Sequence, residues 1–250
     1  MISLARSRER AGVRGVQRLG PHPEPRAAFS RKREKDIKDP MYEPPLHKND
    51  DREAILSLIR AHPLGLLISH GPSGLLANAI PFLIDEAQGP HGLLRAHVAR
   101  ANPQWRDLEQ GGEALVVFQG AQHYISPSWY ETKRQTHKVV PTWNYLIVQA
   151  RGQAKVRHDA GWLRAQIDAL TAAQEGRRAA PWSVSDAPDD FVAAQMRAIV
   201  GIEIEIADLK GKWKASQNRN EADRAGVVEG LERDADPEAV AMAGVVTGFL

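Results

Sequence analysis

The sequence contains no cysteine among its 250 residues. Disulfide bridges, thiolate metal sites and cysteine nucleophiles are therefore excluded. No apolar run approaches the roughly 18 residues that a membrane-spanning helix needs, and the first residues lack the apolar core of a signal peptide. These absences lead us to expect a soluble, cytoplasmic protein with no membrane partner.

Familiar catalytic signatures are also missing. The sequence has no phosphate-binding loop, no dinucleotide glycine fingerprint, no zinc-protease motif and no nucleophile elbow. Its nine histidines are scattered, and none forms a pair at metal-ligand spacing with a carboxylate nearby. We therefore expect neither a hydrolase nor a metalloenzyme, and we expect no bound metal.

The first 40 residues differ from the rest of the chain. They hold eleven basic and five acidic residues, are rich in arginine and proline, and show no apolar periodicity, which predicts a disordered basic N-terminal extension. Such an arm could contact nucleic acid, or it could be an upstream extension before a natural start at Met41. Residues 41–250 are predicted to form a single domain, which is mildly acidic.

The pattern beyond residue 50 predicts a mainly β protein with flanking helices, an α+β fold. Asp50 is predicted to cap a first helix, with Glu53 completing a capping box. Residues 64–157 then show about six short strands joined by turns, which is typical of a closed or nearly closed antiparallel barrel. Two helices are predicted at 159–175 and 188–199. A strand at 202–206, with isoleucines on one face and glutamates in water, and a C-terminal helical segment follow.

Aromatic residues concentrate at 123–145, which holds two of the six tryptophans and three of the four tyrosines. Two interpretations stay open. The stretch could be a hydrophobic plug beneath a long loop, or it could form a rigid wall for a flat ligand, because its aromatic rings carry polar groups and its prolines fix the backbone. The candidate wall residues are Trp129, Tyr130, Trp143 and Asn144.

Two polar segments also attract attention. The first lies where a strand turns into a helix, and it suits an anion such as phosphate unless it is simply a capped helix with its arginine in solvent. Its candidates are His97, Ala99, Arg100 and Asn102. The second surrounds a tryptophan, and it suits a polar ring or a phosphate unless it is a solvated basic loop. Its candidates are Lys214, Ser216, Gln217, Asn218 and Arg219.

Several segments, taken together and in order, resemble the PaiB family of FMN-binding negative transcriptional regulators, also described as protease synthase and sporulation negative regulators. The resemblance spans residues 41–246. It rests on the N-terminal Met41-Tyr42 motif and on HVARANPQW (97–105), YISPSWY (124–130), VPTWNY (140–145), IVGIEIEI (199–206) and GKWKASQNR (211–219). The sequence departs from the family where His47 is followed by Lys48 instead of phenylalanine.

This resemblance implies an antiparallel FMN-binding split β-barrel that forms a homodimer with its flavin sites at the subunit interface. The turn carrying His97, Arg100 and Asn102 would hold the FMN phosphate. The aromatic wall would flank the isoalloxazine ring, and residues 214–219, from either subunit, would close the site.

The resemblance also implies function. The leading expectation is a dimeric negative transcriptional regulator that binds FMN and contacts an operator in DNA, although the acidic folded part shows no helix-turn-helix with a basic recognition helix. The alternative is a flavin-dependent oxidoreductase acting on a small molecule. A third expectation is a flavin sensor that acts through a protein partner.

Overall fold

A computed structural model describes residues 41–234 and 236–250. The predicted disordered extension, residues 1–40, lies outside the described residues. The strands are β1 Lys48–Asn49, β2 Leu64–Gly71, β3 Gly74–Pro81, β4 Leu83–Asp85, β5 Leu93–Ala99, β6 Glu113–Ile125, β7 Thr142–Arg157 and β8 Ile199–Lys214. The helices are α1 Arg52–Ala61, α2 Gln104–Glu109, α3 Glu131–Thr136, α4 Ala160–Glu175, α5 Asp189–Arg197, α6 Glu221–Asp234 and α7 Pro237–Thr247.

The strands form one antiparallel sheet in the order β3-β2-β6-β7-β8-β5-β4, with β1 paired to β8. The chain passes from β3 to β4 across the single residue Phe82, so the two ends of this order are consecutive in the chain. Phe82 is buried and meets Phe118 edge to face at 5.8 Å. The result is a split barrel of the α+β class, as the sequence predicts.

The barrel core combines the inward face of β8 and the apolar face of α1 with buried residues of β2, β3, β5, β6 and β7. Ile202, Ile204 and Ile206 are fully buried, as the alternation of the sequence predicts. The N-cap of α1 is Asp51, so the predicted capping by Asp50 is wrong. The Asp51 carboxylate accepts hydrogen bonds from the N–H groups of Glu53 and Ala54, because the helix starts one residue later than the pattern indicated.

The outer face of β8 is only partly in water. Glu205 is exposed as predicted, but Glu203 is buried beneath α4. The indole N–H of Trp162 in α4 donates to Glu203 at 2.8 Å, and the Nε of Arg157 donates to the same carboxylate at 2.5 Å. These charge-assisted hydrogen bonds compensate the burial of the carboxylate and fix α4 on the sheet.

A second core lies where α6 and α7 cover the far end of β6. It contains Ala121, Ile125, Tyr130, Ala215, Val227, Leu231, Ala239, Met242, Ala243 and Val246, with Trp129 packed against it. The polar segment that follows Tyr130 forms α3. In α3, the backbone N–H and the hydroxyl of Thr132 both donate to the Asp223 carboxylate in α6. Two helices near the C-terminus therefore organise the middle of the chain.

Candidate functional site

Three aromatic rings share the outer face of the β6–β7–β8 sheet. Tyr124 pairs with Trp143, and Tyr145 pairs with Lys214, so the alternation of the strands points all four side chains outward. Trp143 is 54% exposed and Tyr124 is 42% exposed, with their rings 6.1 Å apart in an edge arrangement. We call Tyr124, Trp143, Tyr145, Lys212 and Lys214 the aromatic face.

The two lysines of this face lie over aromatic rings. The Lys212 Nζ is 5.3 Å from the rings of both Tyr42 and Tyr145, and the Lys214 Nζ is 5.8 Å from the ring of Tyr145. Lys212 donates to the Tyr42 carbonyl at 2.8 Å, and Lys214 donates to the Thr142 hydroxyl at 2.5 Å. Cation–π contacts and hydrogen bonds thus hold two positive charges beside an exposed ring pair, an arrangement that suits a flat ligand with an electron-rich edge.

The loop after β8 is held in one conformation by buried hydrogen bonds. Ser216 adopts a left-handed conformation with φ of 63°, and its hydroxyl accepts from the amide of the fully buried Asn144 at 3.0 Å. Gln217 accepts from the Ala215 N–H at 2.7 Å and contacts the His47 Nδ1 at 3.1 Å. Burial lowers the pKa of His47, which favours its neutral form.

Trp129 and Tyr130 belong to the second core rather than to the aromatic face. Tyr130 is 1% exposed, its ring is covered by the Arg219 guanidinium at 4.3 Å, and burial raises its pKa. Trp129 stacks on His123 at 6.2 Å and packs against Gly230 of α6. Trp129 and Tyr130 therefore fit the interpretation as a plug, whereas Trp143 is exposed, and its role in holding a flat ligand stays a prediction.

Arg100 lies at a different part of the sheet. Its guanidinium donates to the carbonyl oxygens of Arg197 and Ile199, both at 2.9 Å. A cavity of about 330 Å³ lies beside it, and Arg197 and His158 also line that cavity. His158 contacts the Glu109 carboxylate at 2.9 Å. Two arginines and a histidine around one cavity form a place where an anion is favoured.

The other candidates of this segment have different surroundings. Asn102 is not among the residues that line the cavity beside Arg100. Its side-chain oxygen accepts a hydrogen bond from the Gln104 N–H at 3.0 Å. Ala99 is exposed at the end of β5. His97 lines a separate, mostly apolar cavity, and burial lowers its pKa. Only Arg100 of this group therefore lines the cationic cavity.

Within one chain the structure does not bring the two predicted halves of the site together. His97 pairs with Gly201 near the start of β8, whereas Tyr145 pairs with Lys214 at its end. At about 3.3 Å per residue, these two points are roughly 40 Å apart along the strand. Within one chain, a single small ligand therefore does not reach both halves.

Sequence reasoning did not name as site residues several members of the aromatic face and its support, namely Tyr42, His47, Tyr124, Thr142 and Tyr145. One signal was present, because Tyr145 alternates with Trp143 along β7 and must share its face. The position of Tyr124 depends on its pairing across the sheet, and that of Tyr42 on a contact with a residue far along the chain. Neither of these long-range contacts follows from local pattern.

The described residues were searched for membrane-spanning helices and for clusters of metal-binding side chains. Across 41–234 and 236–250, none of the helices combines the length and apolar character needed to cross a membrane. In the same ranges no group of three or more histidine, aspartate or glutamate side chains is placed to hold a metal ion.

Comparison with known proteins gives the family. Residues 41–208 match a family described as "Putative FMN-binding domain". The chain is 30% identical over 203 residues to the protease synthase and sporulation protein PAI 2 of Bacillus subtilis, covering 81% of this chain and 95% of that protein. It is 36% identical over 241 residues to an uncharacterised protein of Emericella nidulans, covering 82% of this chain and 96% of the relative.

A solved structure agrees with the fold. A conserved hypothetical protein of Mycobacterium tuberculosis, Rv2991, superposes with a TM-score of 0.51 at 12% identity and covers 72% of this chain and 94% of its own. The family match spans most of the barrel and the PAI 2 match spans most of the chain. The chain therefore belongs to the PaiB-like family of FMN-binding domains, and FMN is its cofactor.

Proposed function

We propose that this protein is a cytoplasmic homodimer that binds FMN between its two copies and represses transcription. The observation that carries the proposal is the aromatic face, where the exposed Trp143 lies with the half-buried Lys214 and with Lys212, which is buried beside the rings of Tyr42 and Tyr145. The PAI 2 relative, named for protease synthase and sporulation, supports a regulatory role.

Exposed leucines on the outer face of β2 and β3, which we call the leucine face, support a dimer. Leu64, Leu66 and Leu75 are 63%, 40% and 73% exposed, and the register of β2 and β3 places all three on the same face. Contiguous exposed apolar side chains on a folded domain are characteristic of surfaces that associate. In this proposal a second copy covers this face, and the cavity at Arg100 of one copy completes the site at the aromatic face of the other.

The residues present fit FMN. Trp143 and Tyr124 would contact the isoalloxazine ring, and Lys212 and Lys214 would lie near its polar edge. Arg100, in the cavity it shares with Arg197 and His158, would hold the phosphate from the other copy. FMN supplies a ring that exchanges one or two electrons, and the protein supplies binding and orientation.

Asn144, Tyr130 and Trp129 act indirectly in this proposal. Asn144 fixes the Ser216 loop from below, and Tyr130 supports the Arg219 guanidinium. Trp129 anchors α6. His97, Ala99 and Asn102 would shape the strand-to-helix turn around Arg100, and Gln217 and the exposed Asn218 would form the rim of the loop.

The cofactor site is tested by titrating FMN and following its visible spectrum and fluorescence. The wild-type protein should bind FMN at micromolar concentration. Trp143→Ala and Lys214→Ala should each weaken binding by about fivefold or more, because stacking and charge contacts are each worth about 1 kcal/mol or more. Lys155→Ala is the matched control, since Lys155 lies on β7, the strand of Trp143. Its side chain is 62% exposed and contacts Glu205. Equal losses in all three variants would contradict the site.

The phosphate assignment needs a separate comparison. Arg100→Ala should weaken FMN far more than riboflavin, because only FMN carries the phosphate. If Arg100→Ala weakens FMN and riboflavin binding equally, Arg100 instead supports the local structure by its hydrogen bonds to the Arg197 and Ile199 carbonyls. The same pair of ligands applied to Lys214→Ala identifies the alternative location for the phosphate.

A flavin-dependent oxidoreductase is the second candidate, favoured by the exposure of Trp143, which would leave a bound ring open to a small substrate. A repressor should bind a fragment of its target promoter with an affinity that falls steeply with salt. An enzyme should oxidise NADH or NADPH under turnover. Turnover without salt-dependent DNA binding would overturn the regulator.

A further inference from the structure

A second cavity lies between α4, α5 and the outer face of the sheet. Its volume is about 330 Å³, and its floor is formed by His97 on β5 and Ile199 at the start of β8. One wall comes from the C-terminal half of α4, including Leu170, and the other comes from α5, including Met196. This volume is at the lower end of the range found for small-molecule sites, which is about 300–1,000 Å³.

The lining is apolar and open at its rim. Nine of its twelve lining residues are apolar, and the described lining includes no lysine or arginine. Trp182 and Phe191 at the rim are 48% and 55% exposed, and Val192 is the buried residue of α5. Large aromatic side chains left half in water around a cavity are available to cover a ligand.

His97 gives this cavity its polar anchor. Its Nδ1 is buried and has no hydrogen-bond partner among the described residues. Burial also lowers the pKa of His97, so the imidazole is neutral at pH 7 and offers one donor and one acceptor. His97 lines the cavity, so a ligand there can offer a hydrogen-bonding group to the edge of the imidazole that faces it.

We propose that this cavity binds a small neutral aromatic molecule of one or two fused rings, with a single hydrogen-bonding group directed at His97. The apolar walls take the rings, and the neutral imidazole excludes a preference for an anion. Anions are drawn instead to the neighbouring cavity, which Arg100 and Arg197 line on the other side of Met196. The site uses neither the aromatic face nor the Arg100 guanidinium, and it shares with the FMN proposal only His97, which there shapes the turn around Arg100.

The test uses 1-naphthol and naphthalene as a matched pair of probes on the full-length protein. They share their rings, but only 1-naphthol carries a hydroxyl, which can donate to or accept from an imidazole nitrogen in either tautomer. Calorimetric titration of the wild-type protein should show that 1-naphthol binds roughly tenfold more tightly than naphthalene, as expected for one hydrogen bond of about 1–1.5 kcal/mol. Binding of 1-naphthol should also move the ring-nitrogen resonances of His97 in NMR spectra.

Two variants decide the assignment. His97→Phe keeps a ring but removes the polar nitrogens, so it should abolish the preference for 1-naphthol while leaving naphthalene bound. Ala187→Trp places an indole in the cavity that Ala187 lines, and it should block both probes while FMN binding stays unchanged. The proposal is overturned if the wild-type protein binds neither probe, if His97→Phe retains the preference, or if Ala187→Trp still binds both.

Discussion

Ser216 shows how one residue can hold a functional loop. Its left-handed backbone is unusual for a residue with a side chain, and it is stabilised by the hydrogen bond between its hydroxyl and Asn144. Asn144 is fully buried on the inward side of β7, one residue from the exposed Trp143. The strand thus couples a buried amide that fixes the loop to an outward ring that faces a ligand.

We expect Ser216→Ala to lower the free energy of unfolding by about 1–3 kcal/mol, because it leaves the buried Asn144 amide with an unpaired group. Ser216→Gly removes the same hydroxyl but tolerates positive φ, so it should cost about 1 kcal/mol less than the alanine variant. Urea unfolding of both variants measures this difference. Equal losses would show that the backbone at Ser216 carries no strain.

At the scale of elements, α6 depends on glycine for its contact with the 3-10 turn at Pro127–Trp129. A Cβ on Gly230 would lie 2.2 Å from the Trp129 Cδ2, and a Cβ on Gly226 would lie 2.1 Å from the Trp129 carbonyl oxygen. Two glycines one helical turn apart therefore give the indole and its backbone a flat surface. The second core forms around that contact.

Gly230→Ala should destabilise the protein by about 1–3 kcal/mol, because the added methyl group must displace the indole or move the helix. Gly244→Ala in α7 is the matched control: a Cβ there meets nothing within 4 Å. That variant should be neutral or stabilise by up to about 1 kcal/mol, since alanine is the better helix former. Thermal and urea unfolding compare the two, and equal effects would contradict the role given to the Trp129 contact.

At the scale of the whole molecule, the proposed flavin site is complete only in a dimer. The cationic cavity at Arg100 and the aromatic face lie near opposite ends of β8, so one chain presents half of each of two sites. This arrangement links cofactor binding to assembly, because whatever separates the copies also divides the site.

Leu66→Glu should therefore convert the protein from a species of twice the 27.6 kDa chain mass to a monomer, and it should reduce FMN affinity at the same time. Sedimentation and FMN titration on the same samples measure both. Val240→Glu is the control, since Val240 is 54% exposed on α7 and distant in sequence from the leucine face. A monomeric Leu66→Glu protein with undiminished FMN affinity would overturn the shared site.

The sequence by itself determined the elements and the family. Period-two alternation predicted β7 and the inward isoleucines of β8, apolar spacing predicted the helices, and the order of several motifs gave the PaiB resemblance. These features are local, because they depend on neighbouring residues along one strand or helix. The concentration of aromatic residues at 123–145 was visible for the same reason.

Only the tertiary structure decided which of those aromatics are exposed. Alternation shows which side chains share a face of a strand, but it does not show what covers that face. Trp129 is covered because α6 and α7, about a hundred residues later, pack over it, whereas Trp143 has no such cover and is 54% exposed. The separation of Arg100 from Lys214 and the cavity at His97 likewise arise from strand pairing and helix placement, which are long-range contacts that no local pattern encodes.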